Sequence, residues 1–120
     1  MQCRVLVVDD DAAFRELASD LLRGLGLGVT GQAGTFAEGE AAAVDLRPDA
    51  ALVDVGLPDG DGLELARRIA ALSWSPRVLI TSSDGDAVTN ARARDLGAVG
   101  FVPKTKLANA PLYGLLAGVP

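Results

Sequence analysis

Short apolar runs alternate with helix-period segments along the whole chain. The runs are residues 3–8, 28–33, 50–54, 78–81 and 99–102, and the second is the weakest. A brief, continuous apolar run bounded by polar residues reads as a strand buried on both faces. Between the first two runs, Phe14, Leu17, Ala18, Leu21, Leu22 and Leu25 recur at helical spacing. Glycines at 24, 26 and 28 close that helix. Thr35-Phe36-Ala37-Glu38 has capping-box spacing and opens an Ala-rich helix to about Arg47, where Pro48 stops it. Leu57-Pro58 with Gly60 and Gly62 predicts a turn. Leu65, Ile69 and Leu72 mark a third helix. Val88, Ala91 and Leu96 mark a fourth, made polar by Asn90, Arg92, Arg94 and Asp95 and therefore expected to dock loosely. Leu112, Leu115 and Leu116 lie in a last short helix. Five βα units with short connections predict an α/β fold: a parallel sheet covered on both faces, in one domain over residues 1–120.

The chemistry sits where apolar runs end. Val5–Val8 runs into Asp9, Asp10 and Asp11, and Ala50–Val53 runs into Asp54. In open α/β sheets ligands bind in the crevice beyond the carboxyl ends of the strands. If those two strands are neighbours, at least three acids converge there. Two unit charges about 4 Å apart repel by roughly 4 kcal/mol at an effective dielectric near 20. A hard divalent cation with oxygen ligands would relieve that.

Composition narrows the field. Apolar residues make up 49% of the 120, as expected of a globular domain. The net charge of −5 argues against direct contact with nucleic acid. No apolar stretch approaches membrane-spanning length. Only Met1 and Gln2 precede Cys3, without a signal-peptide pattern, and one cysteine forms no internal disulfide, so a reducing cytoplasm is expected. Cys3 reads as a small core residue. The chain contains no histidine. That removes Ser-His-Asp and Cys-His triads and any phosphohistidine on this chain, and makes zinc improbable.

The order of strand-end residues resembles the receiver domain of two-component response regulators, over roughly residues 3–118. The most specific stretch is Asp54-Val55-Gly56-Leu57-Pro58-Asp59-Gly60-Asp61-Gly62, similar to the family's D-x-x-L-P-x-x-x-G. The acidic pair Asp9-Asp10, a hydroxyl after the fourth strand and Lys104, three positions after Phe101, complete it. The resemblance implies a flavodoxin-like (βα)5 fold, a doubly wound sheet with strand order 2-1-3-4-5. It implies that Asp54 accepts a phosphoryl group from a kinase's phosphohistidine. Mg²⁺ would be held by Asp10, Asp54 and the Gly56 carbonyl, with Asp9 acting largely through water. Lys104 would pair first with Asp54 and then with the phosphoryl oxygens. A strand-four hydroxyl would bond another of those oxygens. Counting back from Lys104 and Gly97 favours Ser82 for that role, with Thr81 the alternative; successive strand residues point to opposite faces, so both cannot serve.

Phosphorylation would draw that hydroxyl toward the phosphoryl group and turn Phe101, the switch aromatic, inward. The surface of the fourth helix, fifth strand and fifth helix would then repack. The implied partners are a sensor histidine kinase or phosphotransfer protein and a downstream protein target, or the output domain of a longer chain; neither nucleic acid nor membrane is implied. A homodimer formed on phosphorylation is among the partners the resemblance allows. The domain would not be an enzyme beyond catalysing its own phosphorylation and dephosphorylation.

Three positions depart from the family pattern. Thr105 follows Lys104 where the family usually has a proline after a cis bond, and a non-proline cis peptide costs about 3 kcal/mol. The last helix is short, and Gly114 weakens it. Phe101 replaces the commoner tyrosine.

Other residues have plainer readings. Asp11 is expected to cap the first helix. Asp59 and Asp61 read as solvated turn acids, and Leu63 spoils any calcium loop there. Trp74 is expected to cover an end of the third helix. Gly24, Gly26 and Gly28 lack the order of a dinucleotide-binding loop, and no Walker A sequence is present. Two rival functions share parts of the pattern. A haloacid-dehalogenase-like phosphohydrolase needs a second acid two residues after its nucleophile, where Gly56 stands. A phosphorylation-independent interaction module would have no use for the full acid set and Lys104.

Overall fold

The computed structural model describes residues 2–118. Five parallel strands form one sheet: β1 (Arg4–Val8), β2 (Gly28–Ala33), β3 (Ala50–Asp54), β4 (Arg77–Ser82) and β5 (Gly100–Pro103). Their order is β2-β1-β3-β4-β5, the flavodoxin-like arrangement. Helices α1 (Ala12–Gly24), α2 (Phe36–Leu46), α3 (Gly62–Ala70), α4 (Asn90–Asp95) and α5 (Leu112–Ala117) cover the two faces. Strand alternation divides the core in two. Leu6, Val8, Ala51, Val53, Val78, Ile80 and Phe101 meet α2, α3 and α4. Val5, Val7, Ala50, Leu52 and Leu79 meet α1 and α5 through Ala18, Leu22, Leu112 and Leu116. Both faces being covered explains why the central strands are apolar without interruption.

The connections set the site. From β1 the chain passes to β2 on one side and then to β3 on the other. The crevice where the order reverses therefore lies between the carboxyl ends of β1 and β3. Asp11 caps α1 as expected, its Oδ1 accepting from the N–H groups of Ala13 (3.0 Å) and Phe14 (3.3 Å). Thr35 caps α2, accepting from Glu38 N at 3.0 Å. Glu38 answers one residue early, accepting from Gly34 N rather than from Thr35. Arg47 ends α2 in the left-handed region, with φ of 47°.

Several details depart from the sequence reading. Helix α4 is only six residues long. Val88 precedes it because Thr89 is the N-cap, accepting from Arg92 N at 3.1 Å. Only Ala93 of this helix is buried, as its polar composition anticipated. β5 is displaced by one residue and ends on Pro103, which an edge strand tolerates. A 3-10 turn, Lys104–Asn109, intervenes before α5. No peptide bond among the described residues is cis, that between Lys104 and Thr105 included.

Three plain readings need correction. Asp61 is the N-cap of α3, accepting from Leu63 N at 2.9 Å. Asp59 reaches across to α2 and accepts from Phe36 N (2.6 Å) and Ala37 N (3.1 Å). Both are exposed, but both satisfy helix N–H groups that would otherwise lack partners. Trp74 covers the turn after α2 instead of an end of α3: its Nε1 donates to Pro48 O at 2.8 Å, and Arg47 stacks 4.1 Å from its ring centroid. Cys3 is half-buried beside the α1/α5 core, its thiol donating weakly to Leu116 O at 3.6 Å.

Candidate functional site: an acidic crevice with one lysine

Three acids meet in the crevice. One carboxylate oxygen from each of Asp9, Asp10 and Asp54 lies within 4.8 Å of the other two. Asp9 and Asp54 are buried, and Asp10 is exposed. The backbone around Asp9 is braced: its N–H donates to Ala33 O at 2.9 Å, and Arg15 Nη1 donates to its carbonyl at 2.6 Å. Asp9 Oδ1 accepts from Asp11 N at 2.9 Å. Asp9 Oδ2 accepts no hydrogen bond but has Lys104 Nζ 2.7 Å away as an ion pair. The same ammonium stands 3.7 Å from Asp54 Oδ2.

Burial pushes the Asp54 carboxyl above the ordinary carboxylate range, and the neighbouring Asp9 pushes it further; Lys104 and the Gly56 N–H pull the other way, and Asp10 adds a smaller upward push. One ammonium is thus shared between two buried carboxylates. Three carboxylates of hard oxygen donors converging on a single ammonium leave an excess of negative charge that fits a small divalent cation of the Mg²⁺ kind.

The segment after Asp54 is shaped by close approach. Gly56–Leu57 pairs with Gly60–Asp61 in a two-residue ribbon that leads into α3. A Cβ on Gly62 would lie 1.9 Å from Asp54 O and 2.7 Å from Val55 Cα. Only glycine lets α3 start against the strand end that carries Asp54. Gly62 N also donates to Val55 O at 2.9 Å. Gly56 is under no such constraint, since a Cβ there would meet nothing within 4 Å.

The two hydroxyls at the end of β4 face different ways. Thr81 is buried, and its Oγ1 donates to Val102 O at 2.8 Å. Ser82 is on the α2–α4 face with Ile80 and the buried Phe101, and its Oγ accepts from Asp84 N at 3.0 Å. The Phe101 N–H donates to Asn90 Oδ1 at 2.9 Å, tying β5 to the start of α4. Sequence reasoning missed Phe14, which it took only as a helical core position. Its ring centroid lies 4.3 Å from Lys104 Nζ. The two residues are ninety positions apart, and no local pattern joins them.

A doubly wound parallel sheet with an acidic crevice at its switch point, closed by a lysine just past the last strand, defines the class of two-component receiver folds. The chain belongs to the response regulator receiver domain family, which it matches over residues 5–110. It is 36% identical over 102 residues to the transcriptional regulatory protein PdtaR of Mycobacterium tuberculosis, covering 84% of this chain and 49% of PdtaR. It is 41% identical over 103 residues to a protein-glutamate methylesterase/protein-glutamine glutaminase of Caldanaerobacter subterraneus, covering 84% of this chain and 28% of that protein. The chain therefore spans half or less of these relatives. Among solved structures, the signal receiver domain of a modulated diguanylate cyclase from Desulfovibrio desulfuricans superposes with a TM-score of 0.83 at 30% identity, covering 99% of this chain and 94% of that one. The response regulator domain of Thermotoga maritima CheB gives 0.76 at 28%, covering 98% and 90%. No helix among the described residues is long and apolar enough to cross a membrane.

Proposed function

We propose that this receiver domain is a phosphoacceptor switch with Asp54 as the acceptor. The observation that carries the reading is the buried Asp54 carboxylate, which has two acids within 4.8 Å and the Lys104 ammonium 3.7 Å away. An Asp54 oxygen attacks the phosphorus of a partner's phosphohistidine. The P–N bond breaks, and its electron pair leaves with the imidazole nitrogen, giving an acyl phosphate on Asp54. Protein catalysis of such transfer is mostly positioning and neutralisation of charge on the equatorial oxygens.

Lys104 supplies one fixed positive charge for those oxygens. Asp9, Asp10, Asp54 and the Gly56 carbonyl would hold Mg²⁺, which contributes the remaining charge neutralisation when bound. Ser82 is the hydroxyl we assign to a phosphoryl oxygen. Its position on the Phe101 side supports that choice, as does the commitment of Thr81 to Val102 O. Withdrawal of Ser82 toward the phosphoryl group would loosen the packing around Phe101, and the short α4, tied to β5 through Asn90, buries only Ala93.

The phosphodonor would be a sensor histidine kinase or a phosphotransfer protein in the cytoplasm. The signal would pass to a protein target, or to an output domain if this domain is one part of a longer regulator. Acetyl phosphate with Mg²⁺ is expected to label the chain at one position, and Asp54→Asn to abolish the label. Labelling that survives in the Asp54→Asn chain would assign the acceptor elsewhere.

A further inference from the structure

The Lys104 ammonium is held from three sides. Asp9 Oδ2 is 2.7 Å away and Asp54 Oδ2 is 3.7 Å away. The third side is the face of Phe14, with its centroid 4.3 Å from Nζ. Only 17% of the lysine side chain is exposed, so little water completes its shell. A ring face attracts a cation through its quadrupole, most strongly where water is excluded. Phe14 stands in the first turn of α1, which Asp11 caps at the Phe14 N–H, so its place is set by the same loop that carries Asp9 and Asp10.

The three contacts are not equivalent in the phosphoacceptor reading, on which this inference rests. Asp9 belongs to the acids assigned to the divalent cation. A carboxylate engaged there is a weaker partner for an ammonium, and Lys104 then keeps only Asp54 and the ring. We propose that Phe14 is a positioning residue for Lys104: its ring face keeps the ammonium beside Asp54 when Asp9 is otherwise engaged, so that the lysine is in place for the phosphoryl oxygens. A purely structural role would ask only for an apolar group against the α1/α5 core, which Phe14 also touches. Leucine satisfies that role. The proposed role asks for an aromatic face, which tyrosine supplies and leucine does not.

The test uses the full chain with Phe14→Leu and Phe14→Tyr. The Lys104 ε-methylene signal, assigned by its absence in Lys104→Arg, is expected to be shifted upfield by the ring in the parent. Leucine should remove that shift and tyrosine should restore it. Labelling by acetyl phosphate at saturating Mg²⁺ should slow about thirtyfold in Phe14→Leu, the ratio a desolvated cation–π contact carries, and return to within about twofold of the parent in Phe14→Tyr. Affinity for Mg²⁺, read by calorimetry, should stay the same in both variants, since Phe14 offers no ligand atom. A parental labelling rate in Phe14→Leu would overturn the proposal. So would an equal loss in both variants, because packing alone would then explain the result. A parent chain that never labels removes the phosphoacceptor reading and the role with it, whereas an unshifted Lys104 signal in the parent removes the contact alone.

Discussion

Neutralising Asp54 should stabilise the protein when no divalent cation is present. Asp54 is 5% exposed, and its oxygen lies within 4.8 Å of one from Asp9 and one from Asp10. At an effective dielectric near 20, a charge pair at that separation costs about 3.5 kcal/mol, which is the Asp9 contribution. Asp10 is exposed, so its contribution falls toward the value in water, about 1 kcal/mol. Lys104, at 3.7 Å from Asp54, returns about 4.5 kcal/mol on the same scale. The Coulomb parts nearly cancel, and the desolvation of a buried carboxylate decides the sign. That cost runs to several kcal/mol for a fully buried ion, less in an open crevice, so Asp54→Asn should gain about 1–2 kcal/mol. The amide oxygen of Asn can still accept from the Gly56 N–H.

The pH dependence has a definite sign. The folded-state pKa of Asp54 is raised above its ordinary 3.8, so between the two values the folded protein binds more protons than the unfolded chain. Stability therefore falls as pH rises through that window. The advantage of Asp54→Asn is absent below pH 3.8 and complete once Asp54 is fully ionised in the folded protein. Urea unfolding in EDTA at pH 7, followed through Trp74, reads the difference directly. Adding Mg²⁺ should raise the midpoint of the parent more than that of the variant, because binding to the folded state adds stability in proportion to affinity. An Asp54→Asn chain no more stable than the parent in EDTA would refute the picture of a crevice strained by its own charge.

Two further outcomes follow from the segment after Asp54. Gly62→Ala should destabilise the protein by about 3 kcal/mol, because a Cβ there overlaps backbone that cannot move aside, whereas Gly56→Ala, pointing into open space, should stay within about 0.5 kcal/mol in the same urea titration. Bonds from the Phe36 and Ala37 N–H groups hold the Asp59 carboxyl below its usual range, so its contribution is complete above pH 3.8 and fades as pH falls through the depressed folded value. The melting temperature of the parent should therefore approach that of Asp59→Asn over that acidic interval, and curves separated by a constant gap there would rule the cap out.

What the chain revealed of itself depended on how far each signal had to reach. The five apolar runs, the Asp11 and Thr35 caps and the acids at strand ends are each decided within a few residues, and they appear where their patterns put them, with only β5 displaced by one residue. The gathering of Asp9, Asp10 and Asp54 required one further step, that β1 and β3 be neighbours, and parallel sheets with short crossovers have few other solutions. The misread residues are those whose partners come from another element. Asp59 looked solvated because the helix it caps begins 23 residues earlier. Trp74 closely follows α3 in the sequence, yet its indole donates to Pro48 O, 26 residues away. Alternation alone could say that Thr81 and Ser82 differ, but not which faces Phe101; the sheet register and the Val102 carbonyl decide that. The same limit applies to Phe14 and Lys104. Each is unremarkable in its own segment, one a helical apolar position and the other a strand-end lysine. The carboxylates at the crevice are local sequence facts, while the ammonium beside them also meets the Phe14 ring on α1, so on the role proposed for Phe14 a substitution in α1 would alter the chemistry without touching an acid.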